Sequence, residues 1–148
     1  MLLRFFDAAP LRVVFVGGWW AAQVLVCRCL AVGAMVAVDA HDNAASADAV
    51  ADRSQWLSLG RLGGSSRGRV RPLSPDIDTW PTTAAQPVLR LRDVGPGGPL
   101  AVPGQPWHTE LAVLAITSLL RLLVAKIRAK IEDFGACALI VEQSAFDH

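Results

Sequence analysis

The sequence is short of charge. Charged residues make up 18 % of its 148 positions, and the net charge is +1. A chain this neutral has no basic excess to hold a phosphate backbone, so bulk electrostatics give no reason to expect nucleic acid as a partner. Cysteine is scarce as well: Cys27, Cys29 and Cys137 are too few for a disulfide framework. Cys27 and Cys29 are two apart on an expected helix and point to different faces, so they read as small apolar packing residues. That usage suits a reducing, cytoplasmic compartment. No metal-spaced cluster, no paired catalytic carboxylates and no nucleophile–base–acid set can be assembled, so no catalytic residue and no metal ligand is expected. His41 beside Asp42, and His108 after Trp107, read as loop residues, and Glu110, Glu142 and Asp147 have no obvious partner. Solenoid repeats are absent. Lysine is rare, since 12 of the 14 basic residues are arginine. Together with abundant Ala, Gly, Val and Pro, this reads as GC-rich coding before any functional meaning.

What the chain has is apolar bulk. Hydrophobic residues reach 53 %, which rules out disorder and leaves enough material for one domain, 1–148, with its own core. The segment 12–39, RVVFVGGWWAAQVLVCRCLAVGAMVAVD, organises the rest. Val13–Val16 is a β-branched run, Gly17-Gly18 a turn, Trp19–Val32 an apolar helix, and Met35–Val38 a second strand ending on Asp39. The continuous apolar character of the first strand indicates burial on both faces. The helix is apolar nearly all round and needs more than one neighbour. Gly33 fits a C′ residue in the left-handed region. Before this unit, Leu2, Leu3, Phe5 and Phe6 are available to pack on the sheet, and Pro10 stops any helix.

The same stretch carries a competing reading. Between Val13 and Val38 the only strongly polar side chains are Gln23 and Arg28. A spanning helix needs ~20 mostly apolar residues, so 13–38 is long enough to serve as a membrane anchor. Arg28 near its middle costs ~2.5–3.5 kcal/mol, against ~0.3–0.6 kcal/mol returned by each Leu or Val. The glycines at 17, 18 and 33 fall where a strand–helix–strand unit needs turns, which favours the globular reading. Asp7, Pro10 and Asp39 around the run argue against a signal peptide.

Further along, Ser46 is an expected N-cap for a helix over Ala47–Leu59, which stops at Gly60 and carries a stripe of Val50, Arg53 and Trp56 or Leu57. From Gly60 to His108 lie 8 of the 12 glycines and 8 of the 9 prolines, a density that makes the segment irregular. Two short strands survive in it, Arg69–Leu73 and Val88–Asp93. In the second, Leu89 and Leu91 alternate with Arg90 and Arg92, the pattern of a strand with one wet face, at a sheet edge or in a hairpin. Arg61, Arg67, Arg69 and Arg71, in a Gly/Ser-rich context, read as a solvated loop, with a phosphate-binding loop as the alternative. Leu111–Ile116 is a further buried strand. Thr117 or Ser118 caps a helix whose Leu120, Leu123, Val124, Ile127, Ile131 and Phe134 share one face. Gly135 ends it, and Ala138–Glu142 is a last strand. Segments 11–39 and 111–142 thus look like two βαβ units of one sheet. The expected fold is α/β: a three-layer, Rossmann-like, mostly parallel sheet of about five strands in the order 3-2-1-4-5, with an irregular Pro/Gly-rich middle.

In such a sheet ligands sit beyond the carboxyl ends of the strands. Here Gly17, Gly18, Trp19, Thr117 and Ser118 would line that place, with Asp39 at the neighbouring strand end. At these residues the chain resembles the Rossmann dinucleotide-binding family. The pattern G-x-G-x-x-G/A puts Gly17 on the first glycine, Trp19 on the middle one and Ala22 on the last. Asp39, 22 positions after Gly17, matches the acid that holds a ribose hydroxyl. The resemblance implies an NAD or FAD site lined by Gly17, Gly18, Trp19, Ala22, Asp39, Thr117 and Ser118, as in the front part of an oxidoreductase. The middle glycine lets the pyrophosphate approach the backbone, and an indole at Trp19 obstructs it. The strand–GG–helix–strand unit followed by SQWLSLG is also similar to degenerate Rossmann-like cytosolic domains of actinobacterial secretion accessory subunits. The expectation is therefore a non-catalytic interaction domain with a protein partner. A nucleotide-binding domain and a membrane-associated protein anchored by 13–38 are the alternatives.

Overall fold

The computed structural model describes residues 5–42, 49–62, 68–77, 80, 82–94 and 106–115, and the backbone of 138–142. Its strands are β1 (Leu11–Gly17), β2 (Met35–Ala40), β3 (Val70–Pro72), β4 (Val88–Asp93), β5 (His108–Ala115) and β6 (Ala138–Glu142). Two α-helices lie among the described residues, α1 (Trp19–Ala31) and α2 (Arg53–Ser58). The strands form one sheet in the order β3-β2-β4-β5-β1-β6. β1 to β5 are mutually parallel and β6 runs antiparallel to β1. The α/β class and the mostly parallel sheet therefore stand as expected.

The core follows from strand alternation. Val38, Leu91, Leu111 and Val13 are in register across four strands, and each is at most 1 % exposed. They face α1, which buries Ala22, Val26, Cys29 and Leu30, and α2, which buries Trp56. Phe5 and Phe6 pack at the margin of the same cluster, as expected. Right-handed crossovers that run in one direction share a face, and those that run back use the other. The connections β1 to β2 and β2 to β3 run the same way, and their helices share a face. The connection from β3 to β4 runs back, and its Ile77 and Trp80 pack on the opposite face against Met35, Ala37 and Val88.

Three expectations are corrected. Strand order is not 3-2-1-4-5, because β4 and β5 lie between β1 and β2. Periodicity says which face a strand buries and leaves open which strand lies beside it. Segment 111–142 is not a second βαβ unit, since β6 is antiparallel. β4 is not an edge strand but pairs with β2 and β5. Its arginines lie on a half-buried face because acids on neighbouring strands meet them there.

α1 ends as its sequence foretells. Gly33 has φ 95°, the Ala34 N–H donates to Cys29 O at 3.1 Å, and the Gly33 N–H donates to Leu30 O at 3.1 Å, which is a Schellman closure. α2 starts later than expected, at Arg53. Asp52 accepts from the Gln55 N–H at 2.8 Å, and the Gln55 side chain accepts from the Asp52 N–H at 3.1 Å. That capping box outcompetes Ser46 as the start; Ser46 itself, like the expected helix 118–134 with its caps and Cys137, lies outside the described residues. The stretch 13–38 is divided into strand, helix and strand. Among the described residues no helix is long and apolar enough to cross a membrane.

Candidate functional site

The glycine turn sits where the sequence puts it. Gly17 closes β1 opposite Ala115 of β5, so the two strands expected to flank a ligand crevice are indeed neighbours. Gly18 is the N-cap of α1, with extended backbone and no side-chain cap. Ala22 is on the buried side of α1. Trp19 is half-buried against the core. Its ring meets Trp56 edge-to-face, with centroids 4.7 Å apart and planes at 80°. Gly17, Gly18, Trp19 and Ala22 are thus together. Asp39 is not with them. It lies on β2, three strand positions from β1, or about 14 Å at the usual strand spacing. Its carboxylate accepts from Arg92 Nε at 3.3 Å. Thr117 and Ser118 lie outside the described residues.

Trp56 leads to a residue that the sequence did not flag. Asp93, the last residue of β4, is fully buried. Its carboxylate accepts from the Val50 N–H at 2.8 Å, the Ala51 N–H at 2.7 Å and Trp56 Nε1 at 2.7 Å. Burial pushes its pKa above the ordinary Asp value, while these donors and the charge of His41 pull the other way. Trp19, Trp56 and Asp93 together fill the helix side of the sheet's carboxyl end, linking the loops after β1, β2 and β4.

The opposite face carries a row of charge. Arg90, Glu110 and Arg12 occupy one register across β4, β5 and β1, with alternating sign. Opposite charges directly across strands attract. Glu110 is almost fully buried, with Arg12 Nη2 at 3.8 Å and Arg92 Nη1 at 3.6 Å. Burial raises its pKa, against the pull of Arg12, Arg92 and Arg90. Arg92 bridges Glu110 to Asp39, so the acid of the nucleotide pattern is engaged in this row. The only textual clue was the alternation of Arg90 and Arg92 with leucines, since their acids lie on distant strands. His108, read as a loop residue, is the first residue of β5 and is buried.

Comparison with protein-family models, with curated proteins and with solved structures finds no match. Among the described residues no group of His, Cys, Asp or Glu is arranged to hold a metal ion. The most exposed large apolar side chain among them is Trp20, at 75 %. It stands at the head of a stripe on α1, followed by Val24, Cys27 and Ala31, with Gln23 and Arg28 completing the lining of a shallow groove; Cys27 also packs against the core. This stripe lies roughly opposite the buried one of Ala22, Val26, Cys29 and Leu30. An apolar groove with a polar margin is the composition of a protein contact surface.

Proposed function

We propose that this chain is a non-catalytic interaction domain of Rossmann-like layout, with a protein partner and without a nucleotide. The observation that carries the reading is the packing of Trp19 on Trp56, at the place where the Rossmann pattern brings a pyrophosphate against the backbone. The separation of Asp39 from the glycine turn, and its pairing with Arg92, support the same conclusion. The outer stripe of α1 is the contact surface. A role in a multi-component assembly, as in the secretion accessory subunits that the segment resembles, agrees with a fold kept for recognition.

A thermal-shift screen against nicotinamide, flavin and adenine nucleotides tests the reading. A ligand at 100 times its dissociation constant adds about 2.7 kcal/mol, a clear shift for a domain of this size. None is expected. Stabilisation by one of them, lost on Asp39→Ala, overturns the proposal. A shift gained only by Trp19→Gly supports it, because the indole is then what closes the crevice.

A further inference from the structure

We draw no further inference here: the strongest candidate, the shallow apolar groove along α1 headed by Trp20 and flanked by Gln23 and Arg28, is an unpartnered helix face, and nothing in the structure shows what covers it.

Discussion

Asp93 shows how much one side chain can hold. It is a fully buried carboxylate that binds two backbone N–H groups and an indole N–H from the segment after β2. Asp93→Ala leaves all three donors buried and unsatisfied, at about 1–3 kcal/mol each. Urea unfolding should show a loss of about 3 kcal/mol or more. Trp56→Phe keeps an aromatic ring but removes the N–H donor to the carboxylate and part of the buried indole volume, so a loss of about 2 kcal/mol is expected. If the two variants cost the same, ring volume and not the hydrogen-bond set holds this corner. Gly33 is the opposite kind of residue, needed for its lack of a side chain. At φ 95° an added Cβ would stand 3.1 Å from Ala85 O. Gly33→Ala should lower stability by about 1–2 kcal/mol. The role of Gly33 was legible because a helix end is a local event. That of Asp93 was not, because its donors lie 37 to 43 positions away.

At the scale of elements, local chemistry decides ends and distant chemistry decides partners. The capping box of Asp52 and Gln55 starts α2. Asp52→Ala removes the acceptor for the Gln55 N–H, at about 1 kcal/mol. Loss of helical signal together with a lower melting temperature would show this, and no change would mean that Trp56 alone seats the helix. The box was readable as D-R-S-Q, and it outranks Ser46, which has Ala49 where the reciprocal Glu or Gln of a capping box stands. β4 shows the other limit. Alternating Leu and Arg reads as one dry and one wet face, and the structure gives one buried and one half-buried. The wet residues are matched to Glu110 and Asp39 across the sheet, and a pairing between strands is invisible in either strand by itself. The bounds of α1 were legible: the structure gives Trp19–Ala31 with Gly33 just beyond its end, and one side of it packs on the sheet.

For the whole molecule, strand order decides what the recognised motif can mean. Glycine turn and acid keep their sequence spacing, but with β4 and β5 between β1 and β2 they do not meet, and Asp39 joins the charged row instead. That row and Asp93 should set the pH dependence of stability. Burial raises the pKa of both Glu110 and Asp93 above the ordinary values of 4.5 and 3.8. The native state then holds protons that the unfolded chain releases, and stability falls with pH wherever the native state binds more protons. The contribution of these two groups is complete below their ordinary pKa values and is lost as pH rises through the raised ones. Asp52 works in the other sense: hydrogen bonds from Ser54 and Gln55 lower its pKa, so its contribution is present above the ordinary Asp value and fades in acid. Asp52 lies at the surface, where solvent screens it. The buried pair should therefore dominate, and stability should decline from about pH 4 toward neutrality. Urea unfolding at a series of pH values reads this directly. Glu110→Gln with Asp93→Asn should remove the decline whatever it does to the absolute stability. A slope unchanged in that double variant would show that the charged row and the buried corner are held ionised by their donors, with burial the weaker influence.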